Sequence, residues 1–298
     1  MTIDLAQPPA LEGVEHRYVL TPGGVSIHVA EAGPPAGPPI MLVHGFPQHW
    51  WQWHRLIGPL AADGYRVLVP DMRGAGWSSA PRGPYRKADM AEDLLVVLDR
   101  LGVDQVKLAA HDWGGPVAFI LLLNHPERVS GFAGFNTIAP WLKVDGPMLA
   151  HSLIFYYQYP LLLPGIGPRV IADPRHRYLR WVARWVGGGY EWPEADAERY
   201  LSRMVDPERA YAGSQWYRTF QAREVGRWMS GQYADARIHV PVRWITGLKD
   251  PVITPTMHRG YESRADDQTF EHVPDVGHWI VEQAHDLALD RLRGLMKA

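Results

Sequence analysis

The chain has 298 residues, and 30 basic side chains against 32 acidic ones leave a formal net charge of −2. With 46% hydrophobic residues it has the apolar material for one large domain, or a domain with a sizeable insertion, which excludes a disordered chain. The near-neutral balance offers no basic footprint for nucleic acid, and the absence of cysteine excludes disulfides and thiolate chemistry.

The N-terminal stretch "MTIDLAQPPALEG" is acidic, with neither a basic start nor an apolar run, so no secretory leader and a cytoplasmic location are expected. "RYVLTPGGVSIHVAEAG" predicts a β-hairpin over 17–33 around a Pro-Gly-Gly turn. "IMLVHG" (40–45) is a continuous apolar strand, buried on both faces. A helix is expected near 50–62 and a strand at 65–71. Met90, Leu94, Val97, Leu98 and Leu101 recur at helical spacing, which predicts a helix over 88–101 with Asp89 and Glu92 as its capping box. "QVKLAAH" (105–111) is a strand, 113–124 a helix and 129–136 a further strand. Strands alternating with helices imply βαβ units and a parallel sheet. The longest apolar runs, such as "VAFILLL", fall far short of a membrane span.

After about residue 138 the pattern changes. The stretch is rich in Trp, Tyr, Arg and Pro and shows no strand; Tyr178, Trp181, Val182 and Trp185 keep helical spacing until the glycines at 187–189 break it. The α/β pattern returns with a strand at 242–247, a helix at 255–264, a strand at 268–273 and a terminal helix at 279–296. The expected organisation is an α/β core in two parts, 1–138 and 231–298, with a helical lid over 139–230 between them.

The stretch "LAAHDWGGPVAF" (108–119) runs a buried strand through a turn of small residues into a buried helix, with Asp112 at the turn. Asp112 suits a helix N-cap. It also suits a side chain pushed out at the edge of the sheet where open α/β folds bind ligands. Asp250, in "TGLKDPVITP", reads either as a turn aspartate before proline or as the acid partner of a base. His278, in "VPDVGHWIVE", reads as a structural histidine or as that base. All three follow strands at one edge of the sheet. "HGFP" (44–47) is a Gly-Pro turn or a loop aiming the N–H of Phe46, with that of Trp113, at a developing negative oxygen. Ser78 in "GWSSA" mimics an esterase box, but no helix starts there. The fourteen histidines show no metal-ligand spacing, and neither a metal nor a cofactor is expected.

Taken together, "HGFP", "RGAGWSS", "HDWGG", "KDPV" and "GHW" resemble the α/β-hydrolase-fold epoxide hydrolases with a helical cap, over about residues 16–296. In that family the chain order of nucleophile, acid and histidine is the order of Asp112, Asp250 and His278. The resemblance also implies two lid tyrosines. One falls in a Tyr-Gln pair, here Tyr157 in "FYYQYP", between the confusable neighbours Tyr156 and Tyr159; the other falls in "SQWYRTF", here Tyr217. It further implies Phe46 and Trp113 as the oxyanion-hole residues.

The implied chemistry explains an aspartate where hydrolases of this fold usually carry serine. Carboxylate attack on an epoxide leaves an ester that water can hydrolyse, whereas serine would leave an ether. The implied partners are a small apolar epoxide and water, and the sequence leaves a homodimer open. A haloalkane dehalogenase would use the same aspartate and histidine, with Trp113 as a halide donor. Phe46 stands where many of those enzymes carry asparagine, and the tyrosines favour an epoxide. Fluoroacetate-type dehalogenases resemble the motif set less. A non-catalytic binding protein on the same fold is the reading of another class.

Overall fold

The computed structural model describes residues 7–141 and 143–298. The reading of the N-terminus as lacking a leader begins on residues 1–6, outside the described residues. Eight strands form one sheet: β1 (Val14–Leu20), β2 (Ser26–Ala32), β3 (Pro39–Val43), β4 (Arg66–Pro70), β5 (Val106–His111), β6 (Val129–Phe135), β7 (Val242–Gly247) and β8 (Gln268–Val273). Their order across the sheet is β1-β2-β4-β3-β5-β6-β7-β8. β2 runs against both of its neighbours and the other pairings are parallel.

The central strands are buried because helices cover both faces. α1 (His54–Ala62), α2 (Lys87–Arg100), α3 (Gly114–Asn124), and the C-terminal α11 (Ile280–Gln283) and α12 (His285–Lys297) belong to this layer. Burial on both faces accounts for the unbroken apolar run of β3, which a half-exposed strand would not show. The hairpin closes as its composition predicts. Gly24 takes φ +76, and the Thr21 hydroxyl accepts the Val25 N–H at 3.1 Å.

Between β6 and β7 the described residues form no strand of the sheet, only an isolated bridge at Ile238 and a series of helices: α4 (Gly146–Ser152), α5 (Tyr159–Leu162), α6 (Ile166–Ile171), α7 (Arg177–Val186), α8 (Glu194–Ser202), α9 (Pro207–Thr219) and α10 (Val225–Met229). A π-helical turn, Phe220–Glu224, joins the last two. α7 ends where the glycine run begins, with Gly188 and Gly189 in left-handed conformations at φ +65 and +91. This segment is tied to the loop after β4. The Arg209 guanidinium donates to the carbonyls of Gly76 (2.7 Å) and Ser78 (3.2 Å), and the Trp216 indole to that of Arg73 (3.2 Å).

Three local expectations fail for identifiable reasons. α2 has no capping box. It begins at Lys87, so Asp89 lies within its first turn and pairs with Arg86 at 2.8 Å, while Glu92 reaches His125. The Lys87 N–H that a cap would serve donates instead to Glu224 of the insertion, at 2.8 Å. The helix expected at 255–264 is only a 3₁₀ turn, Pro255–His258; Arg259 is extended and Gly260 takes φ +93, which no right-handed helix accepts. The terminal helix is broken at Ala284 (φ −136, ψ 50). No helix among the described residues is long and apolar enough to cross a membrane.

The densest aromatic packing surrounds Trp244 of β7, which is 1% exposed. Its ring stacks on Phe119 of α3 at 5.0 Å and meets Phe132, Tyr261 and Phe270. Truncating such a residue removes contacts that the surroundings cannot recover. Trp244→Ala is expected to lower the unfolding free energy by about 3–5 kcal/mol, read by chemical denaturation; a loss below about 1 kcal/mol would contradict this packing.

Candidate active site

The parallel strands end together at one edge, and the loops leaving them carry the polar groups. Val43 at the end of β3 is in register with Ala110 of β5, and His111 with Phe135 of β6. The next residues are therefore neighbours: Phe46 after β3, Asp112 after β5 and Asn136 after β6.

Asp112 occupies a turn so tight that its φ is +48, a conformation aspartate tolerates better than most residues. The flanking glycines are required by contact. A Cβ on Gly114 would lie 2.6 Å from the carbonyl oxygens of Val43 and His44, and one on Gly115 would lie 1.8 Å from the Thr137 hydroxyl. A Cβ on Gly45 would lie 2.5 Å from that of Asp112 itself. Ala110, where this motif usually has glycine, is buried without difficulty. The main-chain carbonyl of Asp112 accepts from Gly115 N (3.0 Å) and Thr137 Oγ1 (2.6 Å). Its carboxylate does not serve as a conventional helix cap. Oδ2 accepts the Phe46 N–H at 2.9 Å, and Oδ1 faces Nε2 of His278 at 3.6 Å. Trp113 follows Asp112 and opens α3, where the first N–H groups lack helical partners.

The other imidazole nitrogen of His278, Nδ1, lies 2.6 Å from Oδ2 of Asp250. Asp250 is both a turn aspartate and the histidine's partner. Its Oδ1 accepts the N–H groups of Val252 (2.7 Å) and Ile253 (3.1 Å), which aims Oδ2 at the ring. Asn136 Nδ2 also donates to Oδ2, at 2.7 Å, and Asn136 Oδ1 accepts the Gly247 N–H at 3.0 Å. Sequence reasoning missed Asn136 and Thr137. The available signal was their place directly after β6, at the same edge as Asp112. His278 is further held by its own backbone, which donates to Val186 O and accepts from the buried His111 ring.

Tyr157 and Tyr217 face this group from the insertion. Both are buried, whereas Tyr156 and Tyr159 are 48% and 62% exposed, so of the three neighbouring tyrosines only Tyr157 can meet the site. Tyr217 stands edge-on to Phe46 and Trp113, with ring centroids 5.3 and 5.0 Å apart. Gln158 donates to the Tyr157 hydroxyl at 3.1 Å, and the Tyr178 hydroxyl donates to the Tyr157 carbonyl. Burial pushes both phenols above their usual range, so both keep their protons at neutral pH. Ser78 takes another part altogether. It is fully buried, donating to Asp71 O and accepting the His28 N–H, as a brace between strands.

A model of the α/β hydrolase fold matches residues 38–284. The chain belongs to the α/β hydrolase fold family. It is similar to bifunctional epoxide hydrolase 2 of Sus scrofa, 30% identical over 93% of this chain and 55% of that protein. Epoxide hydrolase A of Mycobacterium tuberculosis is 28% identical over 91% of this chain and 94% of its own length. Among solved structures, Cfl2 from Burkholderia cenocepacia superposes with a TM-score of 0.83 at 26% identity, covering 97% of this chain and 98% of that one. The chain spans about half the length of the mammalian bifunctional relatives.

In this α/β hydrolase, Asp112 and Tyr157 border two spaces. One is a cavity of about 260 Å³ between core and insertion, walled by apolar side chains including Ile138, Met148, Phe155, Phe220 and Ile253. The other, about 20 Å³, lies beside Tyr217 and His278. Among the described residues no group of three or more His, Asp or Glu could hold a metal ion.

Charge in the site is concentrated on the Asp112–His278–Asp250 line. Burial alone would raise the Asp112 carboxyl, but the charge of the nearby His278 and the hydrogen bond from the Phe46 N–H outweigh it and hold it below the ordinary range. Burial likewise opposes the His278 proton, yet the two carboxylates overcome it and push the imidazole up to about 10. Its folded value lies above the unfolded 6.5, so this group stabilises the fold fully below about pH 6.5 and loses that contribution as pH rises through about 10. By NMR titration His278 should remain protonated through pH 8. In Asp112→Asn, which removes one of the two carboxylates, its midpoint should fall by about 1–3 pH units, and an unchanged midpoint would contradict the pairing.

Proposed function

We propose that this protein hydrolyses a small apolar epoxide to a vicinal diol through an ester on Asp112, with the helical segment 139–230 serving as the lid over the reacting carbon. The observation that carries the reading is a carboxylate at the strand-to-helix elbow, facing a buried His278–Asp250 pair below and two buried phenols above. The relatives named epoxide hydrolases support the same substrate class.

The steps balance with these groups alone. An Asp112 oxygen attacks an epoxide carbon, the C–O bond of the ring breaks, and the alkoxide takes a proton from Tyr157 or Tyr217. The ester has lost the Asp112 charge. One of the two carboxylates holding the His278 proton is then gone, so the imidazolium gives that proton, through water, to the tyrosinate and becomes a base at neutral pH. His278, oriented by Asp250, takes a proton from water, and the hydroxide attacks the ester carbonyl. The oxyanion faces the N–H groups of Phe46 and Trp113. Collapse expels the second diol oxygen, protonated by His278. The Asp112 acid that forms gives its proton to the His278 imidazole, which restores the resting ion pair. Serine could not close this cycle, because its adduct with an epoxide is an ether.

His278→Ala, treated with an apolar epoxide such as styrene oxide, is expected to accumulate a covalent adduct on the peptide carrying Asp112, raising the intact mass by that of the epoxide. Adding Tyr157→Phe and Tyr217→Phe together should slow its appearance by about 10²–10⁴-fold, the usual worth of general-acid assistance. Diol formation without any adduct, or an adduct rate indifferent to both tyrosines, would count against this reading.

A further inference from the structure

Lys87 is the first residue of α2, and its side chain is wholly buried. A buried ammonium costs free energy that an apolar residue at this position would not, so its surroundings must supply the compensation. Nζ donates to the carbonyl of Trp216 at 3.0 Å and, at the longer distance of 3.4 Å, to that of Tyr85. Its remaining direction is taken by aromatic faces: Nζ stands 4.5 Å from the ring centre of Trp113 and 5.7 Å from that of Phe220. The Glu224 carboxylate is 4.0 Å away, and its other oxygen accepts the Lys87 backbone N–H.

These contacts bring three elements to one point. Trp113 is the residue after Asp112. Trp216 is the residue before Tyr217. Phe220 and Glu224 belong to the π turn that carries the wall of the large cavity. A single cation therefore spans the elbow and the helix that presents the upper phenol. Tyr217 in turn packs edge-on against the same Trp113 ring. Displacing the ammonium removes a partner from the Trp216 carbonyl and from the Trp113 ring together, and both adjoin Tyr217.

We propose that Lys87 is a positioning residue for the reaction, its ammonium clamping the Trp216 carbonyl against the Trp113 ring so that Tyr217 is held over Asp112. The clamp rests on the reading of Tyr217 as the proton donor to the opening epoxide. Lys87 touches no substrate; it acts through Trp113 and Tyr217. The charged groups that face it are Glu224 from the π turn and Asp112 from the elbow. Both favour its ammonium form, while burial, the larger influence, pulls the group down to about 8.

The test measures the rate of ester formation on Asp112 by intact mass, in the His278→Ala background, with styrene oxide. Lys87→Met keeps an unbranched side chain of similar length without the charge. It should slow ester formation about tenfold or more, within the 10²–10⁴ available to a general acid. In a Tyr217→Phe background the same change should alter the rate by less than about twofold, because residues acting as one unit are not additive. The folded Lys87 protein gives a second measurement that needs no substitution at 87. Ester formation should hold steady from pH 6 to about 8 and decline above it as the ammonium is lost, and Tyr217→Phe should abolish that decline. If Tyr217→Phe slows the reaction but Lys87→Met is additive with it or without effect, the clamp is overturned and the tyrosine assignment stands. If Tyr217→Phe itself has no effect, the tyrosine assignment fails and the clamp falls with it.

Discussion

A carboxylate and an imidazolium share one buried space at the edge of the sheet: Nε2 of His278 lies 3.6 Å from Oδ1 of Asp112. The separation is longer than a hydrogen bond yet short enough for each charge to hold the other in its ionised form. On the proposed mechanism the pair has two states: with Asp112 charged, His278 keeps its proton and the aspartate is the nucleophile; with Asp112 neutralised by an ester, the same histidine gives up that proton and becomes a base. In the proposed cycle this one contact serves both halves of the reaction, and no group has to move to switch between them.

The rest of the molecule can be read as what that contact requires. Oδ1 can face His278 only if Oδ2 is held elsewhere, and the Phe46 N–H holds it. The Asp112 backbone can take φ +48 only where Gly114, Gly115 and Gly45 leave room for the turn. His278 can hold its orientation only because Asp250 is itself pinned by the N–H groups of Val252 and Ile253 and by Asn136. These supports come from the segments that follow β3, β5, β6 and β7. The parallel sheet matters to the site because it ends β3, β5, β6, β7 and β8 along one edge. The helical insertion adds what the sheet edge lacks: phenols with tightly held protons, and an apolar wall to the cavity that Asp112 borders.

Much of this was legible in the chain because the informative features are local. The two glycines after Asp112 imply a tight elbow whatever surrounds it, and unbroken apolar runs such as "IMLV" imply strands covered on both faces. What sequence reasoning missed depends on distant contacts. Asn136 looks like any polar residue after a strand until Gly247 and Asp250 are seen against its amide. Asp89 and Glu92 carried the spacing of a capping box, but Glu224, 137 residues from Lys87, takes the N–H at the start of α2. The segment after Pro255 reads as helix by composition, yet Gly260 sits in a left-handed conformation. "FYYQYP" illustrates the boundary best. Its three tyrosines are equivalent as letters, and only the packing of the insertion buries Tyr157 while leaving the other two in solvent.

The central claim is that water attacks the protein and not the epoxide. A single turnover in heavy-oxygen water, with enzyme in excess over substrate, separates the two routes. If the ester forms on Asp112 and is hydrolysed at its carbonyl, the label appears in the Asp112 carboxylate, found by mass analysis of the peptide that carries it. The diol then takes its new oxygen from the enzyme and leaves unlabelled. Labelled diol in that first turnover, with an unlabelled Asp112, would contradict the account and leave Asp112 at most a general base.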